Sequence, residues 1–204
     1  MQNVFETGLL NYIKKEQLKK IQKIKIGLAG AGGLGSNCAF NLVRCGFKKF
    51  KIVDFDVVEP SNLNRQFFFL DQVNIPKVEA LKENLKRINP DVKIEGILEK
   101  ITQENVRDMF SDCHVVVEAF DKVKYKKMIV ENYLASDKLL VCVSGLAGWG
   151  NSDDIMVRKV RDKFYIIGDF VNEAGKNLPP MSPKVNIAAA KQADVILDYF
   201  LGGN

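Results

Sequence analysis

Residues 30 to 77 gather the side chains best suited to chemistry: Gly30-Ala31-Gly32-Gly33-Leu34-Gly35, then Asp54-Phe55-Asp56, then Ser61-Asn62-Leu63-Asn64-Arg65-Gln66, then Lys77. Without side chains at Gly30, Gly32 and Gly35, backbone N–H groups and a helix N-terminus can approach phosphate. Asp54 follows the glycine turn by roughly twenty residues, the spacing at which a carboxylate accepts the hydroxyls of an adenosine ribose. Its competing role is that of a helix cap or turn residue. Asp56, two residues on, either supports the loop or binds nucleotide.

Arg65 and Lys77 separate two kinds of nucleotide chemistry. Hydride transfer needs no added cations, whereas attack on an α-phosphate accumulates negative charge that Arg, Lys or Mg²⁺ must stabilise. The glycine turn by itself also fits an NAD-dependent oxidoreductase, but the 61–66 segment argues against that. Asp121 follows the apolar run Val117-Glu118-Ala119-Phe120 and is expected at the carboxyl edge of a sheet, where ligands bind. It is either a Mg²⁺ ligand beside substrate phosphates or the N-cap of the next helix. His114 lacks a partner pattern and reads as structural. Cys142 lies in an apolar strand and reads as buried. Trp149, between Gly148 and Gly150, either lines a pocket or anchors a turn.

The elements that must carry these residues follow from periodicity. Leu9, Leu10, Ile13, Leu18 and Ile21 predict one helix over 4–21, leading into a strand at 24–28. The glycine loop then enters a helix through Cys38, Ala39, Leu42 and Val43 that stops near Gly46. Further strands are expected at 50–54, 92–98, 114–119 and 139–143, with helices at 76–88, 103–110 and 124–135 between them. Such strand–helix alternation predicts an α/β fold: a Rossmann-like, doubly wound, mainly parallel sheet with an N-terminal helix. After Gly150, segments 155–160 and 164–167 form a hairpin around 161–163 and add antiparallel strands near the C-terminal part. A loop over 172–183 precedes a last helix through Ile187 to Phe200.

Composition narrows the class. The chain of 204 residues has 47% apolar and 27% charged residues, ordinary for a globular protein and enough for one sizeable core. Its formal charge of +5 comes from 30 basic and 25 acidic residues. Much of the excess lies in Lys14, Lys15, Lys19, Lys20, Lys23 and Lys25, a solvated helix face. No aromatic residues interleave with these lysines as a nucleic-acid platform would require, so nucleic acid is not an expected partner. No apolar stretch of about 18 residues is present, so no membrane span is expected and the cytoplasm is the default location. Cys38, Cys45, Cys113 and Cys142 form no C-x-x-C pair, and no zinc is expected.

The joined pattern Gly-Ala-Gly-Gly-Leu-Gly, Asp-Phe-Asp-x-Val-Glu-x-Ser-Asn-Leu-Asn-Arg-Gln, Pro76-Lys77-Val78 and Asn89-Pro90 resembles the ThiF/MoeB/ubiquitin-activating superfamily, most of all its short bacterial ThiF type. Members bind ATP and Mg²⁺ and join AMP to the C-terminal Gly-Gly carboxylate of a ubiquitin-like protein. The resemblance implies that residues 1–204 are a single adenylating domain, with 1–23 a helical appendage and 170–183 a crossover loop. It implies a ThiS-like sulfur carrier as partner, thiamine biosynthesis as setting, and a homodimer. By position, Gly33 would lie under the phosphates, Asp54 would hold ribose, Asn62, Arg65 and Lys77 would contact the triphosphate, and Asp121 would bind Mg²⁺.

Three departures stand out. Asn11-Tyr12-Ile13-Lys14 replaces an Arg-Tyr-x-Arg-Gln motif whose arginine reaches the nucleotide across the dimer, leaving Lys14 in its place. The two C-x-x-C pairs that bind structural zinc in many relatives are missing. No cysteine follows Cys142, which implies adenylation without a covalent carrier intermediate. Related readings are activation of a molybdopterin-type carrier, a peptide or a tRNA-borne carboxylate, and a carrier-binding module without catalysis.

Overall fold

Five short segments form parallel strands: β1 (Lys25–Ala29), β2 (Lys49–Val53), β3 (Lys93–Ile97), β4 (Val115–Glu118) and β5 (Leu139–Val143). β4 and β5 are buried at every position, as strands covered by helices on both faces must be. The computed structural model describes residues 3–172, 175 and 177–202. Part of the expected crossover loop, at 173, 174 and 176, lies outside the described residues.

With β6 (Met156–Arg161) and β7 (Phe164–Gly168) added, the seven strands run in the order β3-β2-β1-β4-β5-β7-β6. From β1 the chain winds outward to β2 and β3, then returns to β4 on the other side of β1. The reversal opens a crevice above the carboxyl ends of β1 and β4, where ligands of such sheets bind. In the C-terminal hairpin, β7 (Phe164–Gly168) lies parallel to β5, and β6 (Met156–Arg161) runs antiparallel to β7 as the exposed edge.

Strand alternation splits the core between the two faces. Ile26, Leu28, Phe50, Ile52, Val115 and Val117 face α3 (Gly33–Arg44), α4 (Lys77–Ile88) and α7 (Ser182–Leu201). Val116, Leu140 and Cys142 face α5 (Val106–Met109) and α6 (Val123–Tyr133), packing with Phe110, Ile129 and Tyr133. None of the described helices is long and apolar enough to cross a membrane.

The expected single N-terminal helix is instead two, α1 (Val4–Leu9) and α2 (Lys15–Ile21). Lys14 between them is extended, and its N–H is taken by Gln17 Oε1 at 2.9 Å, which replaces the carbonyl a continuous helix would supply. Asn3 caps α1 by accepting the Glu6 N–H. Glu6, itself buried, pairs with Lys48 just before β2 and ties the appendage to the sheet. The expected helix at 103–110 shortens to α5, because Asn105 Oδ1 accepts the Thr102 N–H and holds that segment as a turn.

Candidate nucleotide site

The glycine loop leaves β1 at the crevice. Gly30 has φ +107°, a conformation that favours glycine, and its N–H donates to Val53 O of β2 at 2.9 Å. A methyl group at Gly30 would also stand 3.1 Å from Ala119 O, so the turn after β4 passes directly beside it. A Cβ at Gly35 would lie 1.9 Å from Gly30 O, where backbone cannot yield. Gly35→Ala is therefore expected to cost about 3 kcal/mol or more and to abolish nucleotide binding, as melting and calorimetry would register. Gly32 is the N-cap of α3 and carries no side chain to close off the N–H groups behind it. Gly33 packs under Arg65 and against Val185 of α7.

Asp54 ends β2 and turns back on this loop. Its Oδ2 accepts the Ala31 N–H at 2.7 Å and its Oδ1 the Asp56 N–H at 2.8 Å. Each oxygen keeps a lone pair, so a ribose diol could still be bound. Burial raises its pKa, against the two backbone N–H donors and the Lys77 charge.

Asp56 supports the loop and a cation together. Its backbone O accepts the Lys77 N–H at 2.9 Å, and its Oδ2 meets Lys77 Nζ at 2.8 Å. Lys77, first residue of α4, is buried, while the Asp56 carboxylate is half exposed. The ion pair holds the ammonium at the helix start, and its other two protons are available to phosphate.

Arg65 is carried by a loop that α3 anchors through backbone. Asn37 Nδ2 donates to Arg65 O at 2.8 Å, and Ser36 Oγ accepts the Phe67 N–H at 3.0 Å. Among the described residues its guanidinium donates from Nη1, to Ser61 O and Asn64 Oδ1. Asn62 is buried, and its Oδ1 accepts the Glu59 N–H at 3.1 Å, so its amide shapes the loop. Among the described residues the neighbouring Gln66 Oε1 is buried with no hydrogen-bond partner.

Asp121 is exposed in the turn after β4, and the N-cap of α6 is Lys122, with no side-chain capping bond. The capping role is thus not taken up, which leaves the carboxylate available to a cation. Among the described residues no three His, Cys, Asp or Glu side chains converge as a metal site. A cation at Asp121 would rely on substrate oxygens and water, as Mg²⁺ does with phosphates.

The other sequence candidates lie apart from this chemistry. His114 Nδ1 accepts the Lys25 N–H. Burial pushes the thiols of Cys38, Cys113 and Cys142 well up, which keeps them protonated and unreactive. Trp149 is largely exposed and anchors no core. Sequence reasoning passed over Glu118, Lys126 and Gln192. The signal was an acid in the otherwise apolar run Val115 to Ala119.

A family model described as the ThiF family matches residues 7–165, from α1 through the start of β7. The chain belongs to the ThiF family. It is 34% identical over 114 residues to the sulfur carrier protein ThiS adenylyltransferase of Bacillus subtilis, an alignment covering 54% of this chain and 34% of that protein. It is 37% identical over 129 residues to ubiquitin-like modifier-activating enzyme 5 of Aedes aegypti, covering 62% of this chain and 29% of the relative. The chain thus spans about a third of the length of these curated relatives. Among solved structures, Escherichia coli tRNA N6-threonylcarbamoyladenosine dehydratase in complex with AMP superposes with a TM-score of 0.86 at 19% identity, covering 96% of this chain and 93% of that one. At that identity the likeness establishes a shared fold.

Proposed function

We propose that this ThiF-family protein is an adenylyltransferase that uses ATP and Mg²⁺ to activate a carboxylate, with the terminal Gly-Gly carboxylate of a ThiS-like sulfur carrier as the first acceptor. The observation that carries the reading is the convergence of the side-chain-free loop, the Asp54 carboxylate behind it, and the Asp56-aimed Lys77 at one sheet edge. Gly30, Gly32, Gly33 and Gly35 admit the phosphates, Asp54 takes the ribose hydroxyls, and Arg65 and Lys77 neutralise the triphosphate. Asn62 serves by fixing the Arg65 loop.

The acceptor carboxylate is already ionised and needs no general base. Attack on the α-phosphate forms the acyl–phosphate bond and expels pyrophosphate, and the chain contributes alignment and cationic charge. Asp121 would hold Mg²⁺, whose chemistry is to neutralise phosphate oxygens and orient the leaving group. Cys38, Cys113 and Cys142 are buried with their thiols pushed well up, so none of these three is placed to form a thioester with the acceptor. Self-association would bring a partner's Lys14 toward the nucleotide.

The Bacillus relative supports the carrier as acceptor. A tRNA-borne carboxylate is the second reading, favoured by the near-complete superposition on an enzyme named for a tRNA nucleoside. Radiolabelled pyrophosphate exchange into ATP, with each acceptor in turn, tests the reaction and separates the two.

A further inference from the structure

β4 and β5 part before their ends. Their pairing stops at Val117 opposite Val141, although β4 stays paired to β1 through Glu118 and β5 to β7 through Val143. Glu118, with its side chain 1% exposed, fills the gap. Its Oε2 accepts the Val143 N–H at 3.4 Å, while Lys126 Nζ donates to Val143 O at 3.0 Å and to both Glu118 oxygens at 3.2 Å. Gln192 of α7 donates to the Glu118 backbone O at 3.2 Å. Side chains from two helices thus take over where the ladder ends.

The same carboxylate also governs the turn that follows. Glu118 Oε1 accepts the Phe120 N–H at 2.7 Å, and Lys126 lies on the first turn of α6. One carboxylate therefore grips the chain on both sides of Asp121 and Lys122. A buried ion pair is weak evidence for stability, since apolar replacements often serve as well or better. Here the pair fixes the Phe120 N–H, one residue before the exposed Asp121, in the turn whose Ala119 carbonyl lies beside Gly30, which gives it a different use.

We infer that Glu118 and Lys126 are positioning residues that hold the Asp121 carboxylate toward the metal–nucleotide complex. The inference rests on the proposed ATP and Mg²⁺ reading of the site. Fixing the chain on either side of a ligand that itself has no rigid packing limits the orientations its carboxylate can take.

The test measures Mn²⁺ uptake by electron paramagnetic resonance in the presence of ATP, with the metal as a spin probe. Wild type, Glu118→Gln, Lys126→Gln, Asp121→Asn and the Glu118→Gln/Asp121→Asn double variant are compared, with melting curves alongside. Both Glu118→Gln and Lys126→Gln are expected to weaken Mn²⁺ by about 10- to 100-fold. Glu118→Gln should cost nothing further once Asp121 is Asn, because it acts through that residue. Metal affinity unchanged in both single variants would overturn the inference, as would an equal loss in the Asp121→Asn background. Lys126, whose side chain is 24% exposed, carries the test if Glu118→Gln does not fold. A wild type that takes up no Mn²⁺ with ATP would overturn the nucleotide reading as well, whereas normal uptake untouched by the variants would overturn only this role.

Discussion

Arg65→Ala is expected to lower adenylation by about 10²- to 10³-fold, with the loss mostly in kcat, because one preorganised charge at a developing phosphate is worth that much. The fold should survive. The loop around Arg65 is held by its backbone, through Asn37 Nδ2 on Arg65 O and the Phe67 N–H on Ser36 Oγ, and Ala keeps both contacts. The lost guanidinium contacts, to Ser61 O and Asn64 Oδ1, are exposed and local. Melting should move by less than about 1 kcal/mol equivalent. Lys at this position should restore charge but not the two-pronged geometry, and is expected to recover activity only in part. Normal turnover in Arg65→Ala would remove the residue from the mechanism.

Lys77→Met is the second large effect. Its ammonium is buried at the start of α4 and locked to Asp56 at 2.8 Å, so it reaches the site already ordered. Met matches the stem and removes the charge, and adenylation should fall by about 10²- to 10³-fold. The stability cost should stay below that of breaking a fully buried pair, since the orphaned Asp56 carboxylate is half exposed and can be hydrated. Asp56→Asn keeps the lysine charge and loosens its aim, so a smaller loss is expected. Steady-state kinetics on both variants decide between charge and aim. If Asp56→Asn were as damaging as Lys77→Met, Asp56 would be touching substrate itself.

The sheet was legible because its strands are apolar or alternating runs separated by helical periodicity, and the glycine turn could be placed by the strand before it and the helix after it. The join of β7 to β5 was not legible. A parallel partner across a hairpin depends on which strand carries the buried face, and Phe164, Ile167 and Gly168 are buried while all of β6 is exposed. The break between α1 and α2 escaped because Gln17 caps Lys14 from within an apparently continuous apolar stripe. At the site, Asp54 and Lys77 could be named from type and spacing. The hold of Asp56 on Lys77, and of Glu118 on the Asp121 turn, depends on contacts between residues 21 and 8 positions apart or across strands, which one-dimensional patterns do not carry.

Pyrophosphate exchange into ATP tests the central claim most directly. With Mg²⁺ and a carrier ending in Gly-Gly, or a tRNA bearing a carboxylate, exchange should appear only when the acceptor is present, because the α-phosphate is attacked by that carboxylate. Bound ATP and bound acceptor with no exchange would contradict the account and leave a nucleotide-binding module without adenylation chemistry.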